Sequence, residues 1–117
     1  SGRYRMRKPK GDKSNTARVG DLLEIQAVAW LIDQDYEVFR NDCCTGPVDI
    51  IALDVETNEV LKIDVKTTGV CSDQKRLLIP KLTDLQVQLG VKVLTLNKMT
   101  NEWVLADGKR ESQHITF

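Results

Sequence analysis

Two neighbouring strand-like segments, residues 48–55 and 60–67, constrain the fold most, because each carries charged residues within an apolar run. Residues 56–59 between them have the composition of a turn, so the two segments are predicted to form a β-hairpin. Side chains alternate between the two faces of a strand, which places Asp64 and Lys66 on the same face. A buried strand normally excludes such side chains, so this face must offer partners for their charges.

The position of Asp49 depends on the register of the hairpin. If Val55 pairs with Val60, Asp49 lies opposite Lys66 and on the same face as Asp64. A three-residue loop without a bulge would instead place the two acids on opposite faces of the sheet. The first register is favoured, and it predicts two carboxylates and one ammonium group at a common point.

The rest of the chain is predicted to build a sheet around this hairpin. Ser14, Asn15 and Thr16 are candidate caps of the first helix, whose wide apolar surface indicates packing against a sheet. The predicted elements are a helix over 17–34, a strand over 36–40, the hairpin, a helix over 80–89, and strands over 91–96 and 103–106. Residues 68–78 are predicted to be irregular, and the last ten residues favour no single structure. The order α-β-β-β-α-β-β predicts an α/β protein with one mixed sheet flanked by helices.

The net charge of zero conceals a basic N-terminal segment. Residues 1–18 contain seven Lys and Arg residues and one acid, a net charge of +6, which leaves ten basic and sixteen acidic residues and a net charge of −6 for the remainder. We therefore predict a flexible basic arm over residues 1–15 and a single domain over residues 16–117. Such an arm is typical of contact with a polyanion, although a solvated tail explains the same composition.

A third acid, Glu24, is predicted to face the sheet near the start of the first helix. Its neighbours at helical spacing are mostly small or apolar, including Gly20, Ala27 and Val28. Crowded carboxylates stay ionised only when a cation compensates them, and one lysine cannot balance three acids. Hard oxygen ligands without thiolate or imidazole favour Mg²⁺ or Mn²⁺. Internal salt bridges, Asp49 with Lys66 and Asp64 with Lys62 or solvent, are the alternative.

The remaining composition predicts an intracellular, cytoplasmic protein. The chain has no apolar run of the roughly 20 residues that span a bilayer and no signal-peptide pattern. Three cysteines, two of them adjacent, make a poor disulfide framework, and a single histidine argues against a zinc site of the Cys/His type.

Pro47-Val48-Asp49, followed by Asp64-Val65-Lys66 on the next strand, resembles the PD-(D/E)XK nuclease superfamily. The run 49–52 and Arg40 at the end of the preceding strand are most similar to the archaeal-type Holliday junction resolvases of that superfamily. The resemblance covers roughly residues 16–96 and implies a restriction-endonuclease-like core. Asp64 stands where these resolvases usually carry glutamate, and no arginine follows Glu24 directly.

The resemblance implies a metal-dependent endodeoxyribonuclease that hydrolyses DNA phosphodiester bonds. Asp49, Asp64 and the backbone carbonyl of Val65 would bind the metal, Glu24 would bind it directly or through water, and Lys66 would act on the nucleophile. The residues predicted to contact DNA are Arg5, Arg7, Lys8, Lys10, Arg18, Arg40, Thr45, Thr67, Lys75, Arg76, Lys81 and Gln86. For Gln86, a hydrogen bond to the backbone is the alternative.

Resolvases of this kind act as symmetric dimers on four-way junctions, so the resemblance implies a homodimer and branched DNA as partners. Two other functions stay open at this point. A sequence-specific enzyme, of the restriction or intron-homing type, would cut linear duplex at defined sites. A non-catalytic DNA-binding module on the same fold would bind without cutting.

Overall fold

The computed structural model describes residues 13–43, 45–67, 69–70 and 76–116. Its elements, in chain order, are α1 (Lys13–Asp33), β1 (Glu37–Arg40), β2 (Ile50–Asp54), β3 (Glu59–Val65), β4 (Gly69–Val70), β5 (Arg76–Ile79), α2 (Asp84–Gln88), β6 (Lys92–Asn97), β7 (Glu102–Asp107) and β8 (Gln113–Thr116). Residues 1–12 of the predicted flexible arm lie outside the described residues, whereas residues 13–15 belong to α1, which begins earlier than predicted. Within them, no helix is both long and apolar enough to cross a membrane.

A five-stranded sheet in the order β1-β2-β3-β6-β7 forms the centre of the fold. β3 and β6 run parallel, whereas the other neighbouring strands are antiparallel. The parallel pair requires a crossover, which contains β4, β5 and α2. The predicted α/β architecture, with a mixed sheet flanked by helices, is therefore confirmed.

The helix α1 covers one face of this sheet. Leu23, Ala27 and Leu31 recur every four residues, are buried, and so form the stripe that faces the strands. Ala27 and Leu31 belong to a core cluster with Ile50 of β2 and Ile63 of β3. The strand residues between these core positions must project from the opposite face of the sheet.

The crossover segment builds a second apolar cluster. Leu77, Ile79 and Leu82 are buried together with Val91 and Val93, which lead into and lie on β6. β4, β5 and β8 pair into a separate three-stranded sheet. The prediction that residues 68–78 are irregular is therefore wrong for β4 and β5. The alternation that buries Leu77 and Ile79 in β5 is too short to stand out in the sequence.

The second helix is shorter than its predicted span over residues 80–89. Thr83 is its N-cap: the Thr83 hydroxyl accepts from Gln86 N, and Gln86 Oε1 accepts from Thr83 N. This reciprocal capping box fixes the start of the helix after Thr83, so Pro80 lies outside it. Gly90, with φ of +73°, ends the segment in the left-handed region that glycine tolerates.

The hairpin register differs from the prediction. Asp54 pairs with Glu59 and Ile50 with Ile63, rather than Val55 with Val60. Asp54 determines the turn, because its Oδ1 accepts from the backbone N–H of Glu56 at 3.0 Å and its carbonyl accepts from Asn58. Because each position of β2 shifts by two residues along β3, Asp64 stays on the predicted face of the sheet.

Candidate active site

Asp49 lies at the end of a loop that is held from two sides. Asn41, at the end of β1, donates from its side-chain amide to the carbonyls of Thr45 and Val48, the latter at 3.0 Å. The backbone N–H of Asn41 donates to the Asp49 carbonyl at 2.8 Å. From α2, Gln86 Nε2 donates to the Pro47 carbonyl at 3.0 Å. These bonds fix the backbone immediately before β2.

The Asp49 side chain turns towards β3. Its Oδ2 accepts from the Val65 backbone N–H at 2.9 Å, while its own N–H donates to the Ile63 carbonyl at 2.9 Å. Asp49 therefore does not lie opposite Lys66, as the predicted register required. Instead, Asp64 is the neighbouring acid that acts on the Asp49 carboxyl group.

Two carboxylates this close cannot both ionise easily. Burial raises the pKa of Asp49 from its ordinary value of 3.8 to about 6, and the neighbouring Asp64 adds to the increase. The Val65 N–H and, to a smaller extent, the Lys66 ammonium oppose it. Among the described residues, the negative charge of Asp49 and Asp64 is therefore incompletely compensated by Lys66.

Asp64 is buried, and its only close cation among the described residues is Lys66. Lys66 Nζ lies 3.2 Å from Asp64 Oδ2, but out of line for a hydrogen bond, so this buried oxygen has an ion-pair partner and no hydrogen-bond donor. Lys62, the other cation considered from the sequence, donates to the Leu89 carbonyl at 3.0 Å instead. Two acids therefore share one lysine.

The donor set at this point fits a hard divalent cation. Asp49 and Asp64 present carboxylate oxygens from adjacent strands, and one of these oxygens is buried without a donor. A dication would relieve both the repulsion that raises the pKa of Asp49 and the unmet demand of Asp64. In the described part of the chain, no three His, Cys, Asp or Glu side chains are grouped as a closed metal site. The site thus offers two side-chain ligands and open positions.

Glu24 is not the third member of this cluster. Its Oε1 accepts from Arg40 Nη2 at 3.1 Å and from Arg40 Nε at 3.3 Å. The sheet explains the error: α1 covers the face that carries Ile63, whereas Asp64 projects from the other face. Arg40 pairs with Ile50 and so lies on the α1 face, where it meets Glu24. The predicted convergence of three acids is corrected to a pair of acids and a separate salt bridge.

The predicted DNA contacts separate into three groups. Arg5, Arg7, Lys8, Lys10 and Lys75 lie outside the described residues. Arg18, Arg40, Thr45, Thr67, Arg76 and Lys81 are exposed. Gln86 is 8% exposed, and both ends of its amide bond to backbone groups, so it is a buried residue that positions Pro47. This corrects the predicted contact of Gln86 in favour of the backbone alternative.

Two residues of this region escaped the interpretation of the sequence. Asn41 could have been recognised, since an asparagine at the end of a strand often bonds to the following loop. Thr95 interrupts the apolar strand β6 and is fully buried. Threonine is common in strands, so its position carried no evident signal.

Comparisons with known proteins address the fold. No protein-family model matches the chain, and no curated protein matches its sequence. A solved structure of a bacterial homing endonuclease, I-Ssp6803I, is similar, with a TM-score of 0.65 over 84% of this chain and 72% of that chain. Because the two sequences are only 13% identical, the similarity establishes a shared nuclease-like fold and nothing beyond the fold.

Proposed function

We propose that this chain is a metal-dependent endonuclease that hydrolyses phosphodiester bonds in DNA. The observation that supports it most is the pair of carboxylates on adjacent strands, Asp49 and Asp64, with Lys66 as their single close cation among the described residues. The pair occurs on a fold shared with a bacterial homing endonuclease. A salt bridge alone would balance one acid with one lysine, whereas here two acids share one lysine among the described residues.

Asp49, Asp64 and the carbonyl of Val65 are proposed to hold Mg²⁺ or Mn²⁺. When bound, such an ion supplies compensation for the charge of the reacting phosphate and lowers the pKa of a bound water. Asp49 is held for this role by the Val65 N–H, and Asp64 by the Lys66 ammonium. The Lys66 ammonium carries N–H donors that can orient the attacking water or offset negative charge on the phosphate.

Glu24 is proposed to act on DNA through Arg40 rather than through the metal. Its carboxylate fixes the Arg40 guanidinium, whose side chain is 47% exposed. Arg40 lines the same shallow pocket as Asp49. A guanidinium held there would contact a phosphate next to the scissile bond. The exposed lysines, arginines and threonines, together with the basic N-terminal segment, would contact the DNA backbone.

The substrate has two candidates. The sequence resemblance favours a four-way junction, cut by a homodimer in two strands. The structural similarity to a homing endonuclease favours a defined site in linear duplex at least as strongly. α1 supports self-association in either case, because Val19, Leu22, Ile25 and Ile32 are each at least 50% exposed. Several exposed apolar side chains on one helix are typical of a protein interface.

Cleavage of a panel of DNA substrates tests both the proposed metal-dependent activity and the choice between the two candidate substrates. Four-way junction, flap, single-stranded DNA and a library of linear duplexes of random sequence are each incubated with Mg²⁺, Mn²⁺ or EDTA. We expect cleavage with a divalent ion and none with EDTA. Ends that gather at branch points identify a resolvase, and ends that converge on one sequence identify a site-specific enzyme.

A non-catalytic DNA-binding module is the outcome to be separated from these. It predicts binding of the same DNA without cleavage in any metal. Binding is therefore measured in parallel by fluorescence anisotropy, with Asp33→Asn as a control that alters an exposed acid far from the pair.

A further inference from the structure

Two buried side-chain oxygens in the described residues have no hydrogen-bond partner. They are Asp64 Oδ2 and Thr95 Oγ1. Thr95 is 0% exposed, so bulk solvent does not satisfy its hydroxyl. A buried hydroxyl without a partner is costly, and native proteins rarely retain one without a reason.

The sheet register places Asp64 and Thr95 on neighbouring rows of one face of the sheet. β3 and β6 run parallel, with Asp64 beside Val93 and Val65 beside Leu94. The Lys66 N–H donates to the Leu94 carbonyl at 3.0 Å, so the ladder continues and places Lys66 beside Thr95. Alternation then puts Thr95 on the face that carries Asp64 and Lys66.

The orphaned oxygen of Asp64 also points in this direction. Oδ2, rather than Oδ1, is the oxygen 3.2 Å from Lys66 Nζ, and Lys66 is the residue next to Thr95 across the sheet. A carboxylate oxygen, an ammonium and a hydroxyl therefore come from neighbouring positions on one face of the sheet. A buried water molecule typically makes about three hydrogen bonds to such groups.

The residue type at position 95 agrees with a role for the hydroxyl. Val91 and Val93 precede it on the same face and are buried in an apolar cluster. Valine has nearly the shape of threonine and would extend this row without a polar atom to desolvate. Packing alone therefore does not explain threonine at this position.

We propose that Thr95 Oγ1, Asp64 Oδ2 and Lys66 Nζ hold one water molecule between them, and that Thr95 is thereby a positioning residue of the site. The water donates to Asp64 and accepts from Lys66, and the Thr95 hydroxyl completes its bonding. Its effect is to fix the orientation of the Asp64 carboxylate. The water site stands on the geometry alone, whereas its effect on cleavage rests on the proposed nuclease function.

The test compares Thr95→Val, which removes the hydroxyl, with Thr95→Ser, which keeps it; Thr116→Val on the exposed edge of β8 is the matched control. In metal-free protein, we expect Thr95→Val to lower the melting temperature by about 4 °C and Thr95→Ser to retain the bound water. A crystal structure of the wild type in EDTA should show a water within hydrogen-bonding distance of all three groups. A crystal structure without that water, or a Thr95→Val variant that melts higher than the wild type, overturns the proposal.

Cleavage provides the second readout. Thr95→Val should lower kcat about tenfold, the size typical of a residue that orients a metal ligand, with KM unchanged and with recovery in Thr95→Ser. Thr95→Val with wild-type kcat, or Thr95→Ser as impaired as Thr95→Val, contradicts the positioning role. If the wild type itself cuts no DNA, the proposed function fails, while the crystal structure and melting temperatures still decide whether the water site exists.

Discussion

The single acid Glu24 and the acid pair Asp49 and Asp64 differ in how their negative charge is balanced. Glu24 receives two guanidinium N–H groups from Arg40 and forms a one-to-one salt bridge. Asp49 and Asp64 instead share Lys66, and one of their oxygens is buried without a donor. This difference is the reason why the proposed divalent cation is assigned to Asp49 and Asp64 and not to Glu24.

The faces of the sheet produce this difference. Arg40 pairs with Ile50 on the α1 face and so meets Glu24, while Asp64 projects from the other face. Glu24 on α1 is therefore bonded to Arg40 and not grouped with Asp64. The comparison can be tested by four measurements.

The largest expected effect is on cleavage. Asp64→Asn and Asp49→Asn remove a charge from the uncompensated pair, and each should lower kcat at least about 100-fold while DNA binding is largely preserved. Gel-based cleavage with anisotropy in parallel measures both quantities. Glu24→Gln should reduce cleavage much less, and a Glu24→Gln variant as inactive as Asp64→Asn would show that Glu24 belongs to the catalytic group after all.

Binding of a divalent ion should stabilise only the wild-type pair. At an ion concentration of about 100 times Kd, the stabilisation is about 2.7 kcal/mol, which calorimetry would detect as a higher melting temperature. Asp64→Asn should lose most of this increase, whereas Asp33→Asn should retain it. An equal increase in Asp64→Asn would place the ion elsewhere on the protein.

The stability of the metal-free protein should fall as the pH rises from about 4 to about 6, the interval between the ordinary pKa of Asp49 and its raised value. A carboxyl group whose pKa is raised by folding favours the protonated folded state, so its contribution is present at low pH and is lost on ionisation. After allowance for solvent screening, we expect a change of about 1 kcal/mol in the free energy of unfolding. Urea titrations in EDTA measure it, and Asp49→Asn should remove this component.

The smallest expected effect concerns the salt bridge of Glu24 and Arg40. Their side chains are 20% and 47% exposed, so the pair should contribute only about 0.5 kcal/mol to stability. A double-mutant cycle of Glu24→Gln and Arg40→Gln isolates that coupling. A coupling of several kcal/mol would mean that Glu24 without Arg40 is as poorly compensated as the Asp49 and Asp64 pair. The contrast between Glu24 and that pair would then disappear.

Local periodicity was enough to predict much of the fold. The wide apolar surface of the first helix indicated that α1 packs against the sheet, and the structure shows that Leu23, Ala27 and Leu31 form the buried stripe. The alternation of residues placed Asp64 and Lys66 together, and their ion pair follows from it. Small errors in register did no harm here, because a shift by two residues returns each strand side chain to the same face.

Contacts between distant segments were not predictable in this way. The clamp on Pro47 depends on Gln86, which is 39 residues away along the chain. The second sheet depends on β8 reaching β5 from the C-terminal segment. Neither contact leaves a pattern within a single segment, so the short strands and the true role of Gln86 became evident only from the tertiary structure.

The sequence by itself determined which side chains share a face, because alternation and helical spacing are properties of a single element. Only the tertiary structure decided which face of the sheet α1 covers, and with it whether Glu24 meets Asp64 or Arg40. The physical reason is that a helix can pack on either face of a sheet with the same internal pattern, and the choice is made by the burial of apolar residues from segments far apart in the chain.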